Sequence, residues 1–307
     1  MVQKNKEIVK NNTSNKSVMN KGKVRKGFPF VHMSKKRRIW EEKGNSIEKN
    51  FKRAYNRRIE LWWDFMKNYY IDIHNHILPG VDDGAKSEGR SIRMLKFAAK
   101  SGIREIIATP HFHYRWGQAK ADQIRKLTAH MQEALDEKGI PIRLHTGNEL
   151  YYTHDLLEIL KAGEVLTLAD SNYVLLEFSE SEEKRKVQNA IYQFLCEGYY
   201  PIIAHTERYE IFREDKAILR ELEEMGAYFQ VNAASLCGKT DWRTRRFSRD
   251  MMKNGLVSFV ATDAHDLKDR SPKFGKSISW MSRKYGEAQV KEYLVKNPRK
   301  IITNTTI

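Results

Sequence analysis

The segment YIDIHNHILPGVDDGAKS, residues 70–87, gives the first clear fold signal in this chain. It begins with a β-favouring run that ends in His74 and His76, and a Pro-Gly turn then leads to Asp82 and Asp83. Side chains two positions apart on a strand point to the same face, so the two histidines would share one face. The segment predicts a strand whose end carries either a metal site or two unremarkable loop histidines.

The chain beyond this segment alternates β-favouring runs with amphipathic stretches. Counting the first, the runs number seven: YYIDI, REIIAT, IRLHT, YVLLEF, PIIAH, YFQVN and VSFVAT. Four amphipathic stretches between them each end at glycine, the usual residue after a helix C-terminus. This alternation predicts an α/β fold with a parallel sheet, and seven units favour a closed barrel. Residues 287–304 predict a helix, a break at Pro298 and a short final helix.

Residues that can bind metal follow six of the seven predicted strands. In a parallel barrel the C-terminal strand ends converge on one face, where active sites are built. The nine candidate ligands are His74, His76, Asp83, His111, Glu149, Glu177, His205, Asp263 and His265. Each motif alone is weak and also fits packed or solvated side chains. Their repetition at the strand ends favours a single shared site.

The number and type of these candidate ligands constrain the metal chemistry. Nine ligands exceed the three or four that one tetrahedral zinc ion takes, so they favour two or three ions with bridging groups. A mixture of nitrogen and oxygen donors without thiolate points to Mn, Fe or Zn. Such ions generate hydroxide near neutral pH and stabilise both oxygens of an in-line attack on phosphorus. The sequence therefore favours metal-assisted phosphoester hydrolysis.

Two arginines follow candidate ligands closely. Arg208 comes three residues after His205, and Arg270 comes five residues after His265. Guanidinium groups at these positions could bind phosphate oxygens bidentately, and the alternative is two surface arginines in an Arg-rich protein. The chain has no glycine-rich phosphate loop, Rossmann fingerprint or Gly-x-Ser-x-Gly motif. It also lacks a Cys-x5-Arg loop, which excludes a cysteine-based phosphatase on motif grounds.

The remaining histidines give no comparable pattern. His32 lies in a basic N-terminal region, His130 falls within a predicted helix, and His145 and His154 have no partners at ligand spacing. We interpret these four as structural or exposed residues. His113 follows the candidate ligand at position 111 by two residues and could reach the mouth of the site.

Net charge divides the chain into two regions. The formal charge is +16, but residues 1–69 hold 19 Lys and Arg against 6 Asp and Glu, whereas the other residues hold 36 and 33. We therefore predict a basic, flexible leader over residues 1–68 and a folded domain over 69–307, for which no nucleic acid is expected. The leader could instead bind an anionic surface, or the natural protein could begin near Met66.

Cysteine content and hydropathy indicate the compartment. No apolar run approaches the roughly 18 residues that cross a bilayer, and no secretory signal is recognisable. Cys196 and Cys237 are the only cysteines, too few for a disulfide framework. A reducing cytoplasm is the expected location.

The motifs closely resemble those of the polymerase-and-histidinol-phosphatase (PHP) superfamily. Within it they are similar to the bacterial manganese-dependent tyrosine-protein phosphatases of capsular and exopolysaccharide gene clusters. The similar segments keep the same order over residues 70–307: IDIHNHILPGVDDGAKS, ATPHF, GNELYYTHDLL, YVLLEFS, PIIAHTERY, GAYFQVNAASL, FVATDAHDLKDRSP and NPRKII.

This resemblance implies a distorted seven-stranded (β/α) barrel with three divalent ions, expected to be Mn²⁺, with Fe or Zn as alternatives. The implied ligand sets are His74, His76, Glu149 and Asp263 for one ion, Glu149, Glu177 and His205 for a second, and Asp83, His111 and His265 for the third. Arg208 and Arg270 match the phosphate-contacting arginines of the family.

By the same resemblance we expect hydrolysis of phosphotyrosine by a metal-bound hydroxide. The expected partner is the tyrosine-rich tail of a bacterial autokinase that regulates polysaccharide synthesis, which would place the protein near the inner face of the membrane. One alternative is a phosphoesterase for a small substrate such as histidinol phosphate. Glu177 argues mildly against it, because related small-molecule enzymes more often have histidine there. Another alternative is a non-catalytic protein whose leader binds membrane or nucleic acid.

Overall fold

All seven predicted strands form in a computed structural model of the protein, which describes residues 69–238 and 240–307. The leader predicted over residues 1–68 lies outside the described residues. Within the described part the strands are β1 Tyr70–Asn75, β2 Ile103–Ala108, β3 His111–His113, β4 Gly117–Gln118, β5 Arg143–Thr146, β6 Glu149–Tyr151, β7 Tyr173–Glu177, β8 Tyr200–Ile203, β9 Tyr228–Asn232 and β10 Phe259–Ala261. The sequence did not predict β3, β4 or β6.

The helices lie between the strands and after the last one. They are α1 Glu88–Lys100, α2 Ala121–Glu137, α3 Leu156–Lys161, α4 Lys184–Cys196, α5 Glu210–Glu214, α6 Ala217–Met225, α7 Ala233–Cys237, α8 Trp242–Lys253, α9 Gly275–Tyr285, α10 Glu287–Lys291 and α11 Asn297–Ile302. Local sequence sets their ends: the Ser87 side chain caps α1, and α6 ends at Gly226 in the left-handed conformation. Among the described residues, no helix has the length and apolar character needed to span a bilayer.

The predicted helix break at Pro298 is wrong. Helix α10, a π-helical turn at Glu292–Lys296 and helix α11 follow one another without interruption. Proline lacks a backbone N–H, and its ring clashes with the carbonyl four residues earlier in a regular α-helix. The wider π turn just before Pro298 spares the chain this clash, so the helical path continues.

The strands form two sheets. One has three strands in the order β1-β2-β5, and the other has seven strands in the order β10-β9-β8-β7-β6-β3-β4. Every pairing is parallel except β3 with β4, which form an antiparallel hairpin. The predicted α/β class and parallel pairing are therefore confirmed, and the larger sheet is mixed.

Two neighbouring strands are interrupted at the same level. Pro110 separates β2 from β3 and cannot donate a ladder hydrogen bond, and Gly147 separates β5 from β6. A Cβ at Gly147 would lie only 3.0 Å from the side chains of Ile107 and Leu168. Asn148 fastens the break, because its buried amide donates to the carbonyls of Pro110 and Ala119 and accepts from an N–H. The short strands β3 and β6 are thereby fixed in a direction that differs from that of β2 and β5.

A buried apolar cluster lies beneath the C-terminal ends of the strands. It includes Tyr173 and Leu175 of β7, Phe259 and Ala261 of β10, and Ile301 of α11. Side chains two positions apart along a strand share a face. Glu177 lies two positions beyond Leu175, and Asp263 lies two positions beyond Ala261, so their carboxylates continue the same two rows.

Candidate metal centre

The structure brings the nine predicted ligand residues into one site. Seven of them are buried, whereas Asp83 and Glu177 are partly buried. His111 and Glu149 are the first residues of the short strands β3 and β6, which follow β2 and β5. The others come from the C-terminal end of a strand or from the loop after it, as the strand-end argument predicted. Their donor atoms form three overlapping groups.

The first group contains four donor atoms. His74 Nε2 and His76 Nε2 lie 3.2 Å apart, and each lies 3.2 Å from Glu149 Oε2 and 3.5 Å from Asp263 Oδ1. Bonds of about 2.0–2.2 Å to a central ion place tetrahedral donors about 3.3–3.6 Å apart. The observed spacings therefore fit one divalent cation. These are the four residues that the resemblance implied for one ion.

The second group surrounds Asp83. Its Oδ1 lies 3.4 Å from His111 Nε2 and 3.2 Å from His265 Nε2. His76 is also close enough to contribute a donor, since its ring centroid lies 3.8 Å from that of His265. The structure therefore brings the third implied ligand set together and adds His76 to it.

The third group is built on two glutamates. Glu149 Oε1 lies 2.8 Å from His205 Nε2, and its Oε2 lies 2.9 Å from His111 Nδ1. Glu177 lies 3.5 Å from His205 and 3.8 Å from His111. Glu149 thus faces all three groups, and the structure places His111 beside the implied trio of Glu149, Glu177 and His205.

Several buried atoms of the site have no hydrogen-bond partner. They are Asp83 Oδ1, His111 Nδ1, Glu149 Oε2, Glu177 Oε2, His205 Nδ1 and His265 Nε2. Burying a polar atom without a partner costs roughly 1–3 kcal/mol, and a protein rarely accumulates so many in one place. Bound cations would satisfy such donors, so the residues present fit a cluster of divalent ions.

Supporting residues orient two of the candidate ligands. Asp82 Oδ2 lies 2.8 Å from His76 Nδ1, and Asp82 Oδ1 accepts from the Gly84 N–H. Gln230 Oε1 lies 3.1 Å from His74 Nδ1. A hydrogen-bond acceptor at Nδ1 keeps the proton there and leaves Nε2 free to bind metal. Asp82 is therefore placed to orient the imidazole of His76.

Sequence reasoning missed a polar chain along β9. Gln230 also accepts from the His205 N–H at 2.8 Å and donates to Asn232, which in turn donates to Asp263 Oδ2 at 2.8 Å. The signal was present, because these two amides alternate within the otherwise apolar run YFQVN. Strand β9 thus contributes no candidate ligand, but it positions three of them, His74, His205 and Asp263.

The backbone also contributes to the geometry. His205 has φ +29° and Asp263 has φ +52°, in the left-handed region that residues other than glycine seldom adopt. Both lie two residues beyond the last residue of a strand, where a left-handed residue turns the chain sharply. This turn brings both side chains into the cluster.

Both predicted arginines reach the cluster. Arg208 Nη2 donates to Asp263 Oδ2, and Arg270 Nη2 donates to Asp263 Oδ1, each at 2.6 Å. About a third of each arginine side chain remains exposed. Both line a cavity of about 860 Å³ that opens beside the cluster. The guanidinium groups therefore face a space that an anionic substrate could enter.

Other histidines lie elsewhere or pack beside the site. His145 pairs with Glu105, exposed His130 pairs with Glu88, and His154 is exposed, which agrees with structural or surface roles. His32 lies outside the described residues. His113 is buried, with its ring centroid 6.2 Å from that of His111.

Comparison with known proteins identifies the family. The model of the family described as capsular polysaccharide synthesis, CpsB/CapC, matches residues 70–303. The chain belongs to the CpsB/CapC family.

Relatives and a solved structure of CpsB/CapC type cover most of the chain. Tyrosine-protein phosphatase CpsB of Streptococcus pneumoniae is 34% identical over 77% of this chain and 100% of its own length. Tyrosine-protein phosphatase YwqE of Bacillus subtilis is 32% identical over 77% of this chain and 93% of its own. A crystal structure from work on these two metal-dependent tyrosine phosphatases matches with a TM-score of 0.73 and 32% identity. It covers 77% of this chain and 96% of that chain.

Electrostatics within this CpsB/CapC site favour metal-binding forms of two imidazoles. Burial lowers the pKa of His205 to about 4, reinforced by the positive charge of Arg208, and burial likewise lowers the pKa of His265 to about 4. Burial also disfavours protonated His74, but the charge of Glu149 outweighs it and raises that pKa to about 9. Neutral imidazole is the form that binds metal, so a cation at His74 must displace a proton.

The pKa values of the carboxylates show that negative charge is concentrated in the site. Burial raises the pKa of Asp263, but Arg270 and Arg208 outweigh it and hold that pKa well below the usual range. Burial and the neighbouring Glu149 raise the pKa of Glu177 to about 8. The carboxylates of buried Glu149 and partly buried Glu177 lie within 4.8 Å of each other and repel, and cations between them would relieve this repulsion.

Proposed function

We propose that this chain is a metal-dependent protein-tyrosine phosphatase that hydrolyses phosphotyrosine to tyrosine and inorganic phosphate. The observation that carries the proposal is the cluster of nine metal-type side chains with two arginines at its edge. The relatives named as tyrosine-protein phosphatases support the same activity. Water adds to phosphorus, the bond from phosphorus to the phenolic oxygen breaks, and the phenol regains a proton.

The proposed cofactor is a set of three divalent ions, with Mn²⁺ as the expected metal. The proposed ligands are His74, His76, Asp83, His111, Glu149, Glu177, His205, Asp263 and His265. Ions bound there would supply hydroxide near neutral pH and positive charge for the phosphoryl oxygens. The three donor groups and the unpartnered buried atoms support this assignment.

The protein's own groups bind and orient the substrate in this proposal. Arg208 and Arg270 hold phosphoryl oxygens and balance their charge as the bond to phosphorus forms. Asp82 keeps the imidazole of His76, and Gln230 keeps that of His74, in one tautomer and orientation. Because these two groups are preset by hydrogen bonds, they need little reorganisation during the reaction.

We further propose the tyrosine-rich tail of a bacterial autokinase as the partner. Membership of a capsular polysaccharide synthesis family supports this choice. A flexible tail can bring a phosphotyrosine to the mouth of the site, whereas a tyrosine in a folded surface could not easily enter. The proposed location is the cytoplasm, beside the membrane-associated kinase. Free thiols at Cys196 and Cys237 suit such a reducing compartment.

The architecture proposed for the catalytic domain, residues 69–307, is one distorted seven-stranded barrel. Strand β2 continues as β3 and β5 continues as β6, so that both pairs of segments link the two sheets. Asp263 donates its N–H to the His74 carbonyl, and His76 donates to the Ala264 carbonyl, both at 2.9 Å. These bonds join β1 to the chain after β10 and support closure. Residues 1–68 would form a separate basic leader.

One experiment tests the activity directly. The purified protein is analysed for bound metals, and its hydrolysis of a phosphotyrosyl peptide is compared with that of histidinol phosphate, with and without chelator. We expect chelator-sensitive hydrolysis with a much higher kcat/KM for the peptide. A preference for histidinol phosphate would favour the small-substrate alternative, and chelator-resistant hydrolysis would contradict the metal centre.

A further inference from the structure

Exposed aromatic side chains border the metal centre on the β3–β4 hairpin. Tyr114 is 65% exposed and Trp116 is 48% exposed. They are two of the four large aromatic side chains that are at least 48% exposed in the part of the chain described by the structure. Large aromatic groups are costly to leave in water, so a pair of them beside a catalytic site calls for a functional explanation.

Strand register places a second pair of side chains, His113 and Tyr151, directly outside the layer of candidate ligands. His111 of β3 pairs with Glu149 of β6, and both are candidate ligands. Two residues further along the same strands are His113 and Tyr151, on the same faces as those ligands. The ring centroids of His113 and Tyr151 lie 4.2 Å apart in an edge-to-face arrangement. A rise of about 3.3 Å per residue puts this second layer about 6.6 Å beyond the first.

The two exposed rings extend this second layer. Tyr114 stacks on His113 with centroids 4.5 Å apart, and the Trp116 centroid lies 6.2 Å from His113. We call these four residues, His113, Tyr114, Trp116 and Tyr151, the aromatic rim. Tyr114 and Trp116 carry the exposed surface of the rim, and the guanidinium carbon of Arg115 lies 5.7 Å from the centroid of the Tyr114 ring.

The hairpin that carries the rim is held against the ligand-bearing loop. Gly117, with φ +144°, approaches so closely that a Cβ there would lie 2.5 Å from the Val81 carbonyl oxygen and 3.2 Å from Asp82 Cβ. Ala119 also donates its N–H to the His111 carbonyl at 3.2 Å. The rim is therefore fixed in position relative to the metal centre.

We propose that the aromatic rim binds the phenyl ring of the substrate and so selects aryl phosphates over alkyl phosphates. The inference rests on the proposed phosphatase function and specifies its substrate class. With the phosphate at the ligand layer and the arginines, phosphotyrosine places its ring one layer outward, where Tyr114 and Trp116 offer exposed ring surface. Phosphoserine offers only a methylene at that level. Ring–ring contacts of this kind are selective for aromatic partners.

The test measures aryl and alkyl ligands on the full-length protein loaded with Mn²⁺. Calorimetry gives the Kd of phenylphosphonate and of propylphosphonate, and kinetics give KM and kcat for phenyl phosphate and propyl phosphate. The variants are Tyr114→Ala and Trp116→Ala. Tyr192→Ala and Trp242→Ala are the control variants, since these residues are 62% and 63% exposed and lie outside the rim. Tyr114→Phe and Trp116→Phe keep a ring at each position.

We expect each alanine variant to weaken phenylphosphonate binding and raise KM for phenyl phosphate by about three- to tenfold. Propylphosphonate binding, metal content and both controls should be unchanged, and the phenylalanine variants should bind like the original protein. Equal losses for aryl and alkyl ligands, or no loss at all, would overturn the inference alone. Failure of the unaltered protein to hydrolyse any phosphate ester would instead overturn the proposed function.

Discussion

Arg208 donates from Nη2 to Oδ2 of Asp263 at 2.6 Å, so a proposed phosphate-binding group is anchored on a proposed metal ligand. Arg270 does the same at the other carboxylate oxygen. Movement of either arginine would break its hydrogen bond to the Asp263 carboxylate, and each guanidinium remains partly exposed. This arrangement fixes the distance between the positive clamp and the cluster before substrate arrives.

Substitutions of Arg208 should separate the contribution of its positive charge from that of its forked guanidinium geometry. We expect Arg208→Ala to lower kcat/KM for a phosphotyrosyl peptide by about 10- to 100-fold, because a charge-assisted hydrogen bond is lost. Arg208→Lys should recover only part of this loss, since an ammonium group cannot bind two oxygens in a fork. Steady-state kinetics measure both effects. Arg125→Ala, which removes an exposed arginine paired with Asp170, serves as the control and should leave kcat/KM unchanged.

Loss of a proposed ligand should remove activity without unfolding the protein. We expect His205→Ala and Asp263→Ala each to reduce phosphotyrosine hydrolysis to near background, with fewer bound ions by elemental analysis and an unchanged circular dichroism spectrum. His130→Ala changes an exposed histidine away from the site and should have no effect. Near-normal rates in either ligand variant would contradict the metal-centre model.

Metal removal should affect activity and stability together. Dialysis against chelator is expected to abolish hydrolysis and lower Tm, because ions that bind only the folded state stabilise it. Readdition of Mn²⁺ should restore both, and elemental analysis should then give about three ions per chain under this proposal. A Tm that is insensitive to chelator, together with retained activity, would argue against a resident metal.

Glu105 should make stability depend on pH in the acid range. Its buried carboxylate binds His145, Arg299 and Tyr69, and although burial opposes ionisation, these contacts lower its pKa to about 2. A carboxyl with a lowered folded-state pKa stabilises the fold above its unfolded value near 4.5, and this contribution disappears as pH falls towards 2.

The variant Glu105→Gln measures this contribution in urea unfolding of the metal-free protein. We expect it to lower the free energy of unfolding by on the order of 3 kcal/mol at pH 7. The difference from the original protein should shrink below about pH 4.5 and be smallest near pH 2. Glu158→Gln changes an exposed glutamate and should have little effect at any pH. A difference that is constant with pH would show that ionisation of Glu105 is not responsible.

Removal of residues 1–65 should leave catalysis intact. All candidate ligands and both arginines lie within residues 70–303, the range that the CpsB/CapC family model matches. We expect unchanged kcat and KM for a phosphotyrosyl peptide. Vesicle and nucleic-acid binding should be compared in parallel, because loss of such binding would assign a role to the leader. A large fall in kcat would instead mean that the leader contributes to the active site.

The sequence predicted that the nine candidate ligands lie together, because their grouping depends on one simple rule. Strand ends of a parallel sheet converge, so His, Asp and Glu residues after successive strands could be grouped without knowing their contacts. Strands β3 and β6 were missed, since each has only three residues and results from a break in a longer strand. Runs so short give no periodic signal.

Supporting contacts were less predictable than ligands. The bonds of Gln230 to His74 and to the His205 backbone join residues far apart in sequence, and only the fold shows which amide faces which imidazole. The stacking of Tyr114 on His113 likewise depends on the hairpin direction. A helix break was predicted at Pro298, but a π turn forms before it and the helical path continues. Packing of the last helix outweighs the local preference of proline for ending a helix.

The left-handed backbone at His205 and Asp263 has an evolutionary consequence. Holding a residue other than glycine in that region costs of order 1–3 kcal/mol, whereas glycine would adopt it freely. A glycine at position 205 would release this backbone strain, whereas a glycine at position 263 would also leave Arg208 and Arg270 without their shared carboxylate. The strain at His205 is thus a stability cost of placing an imidazole at this turn. Stabilised but inactive variants should accordingly be easier to find at position 205 than at position 263.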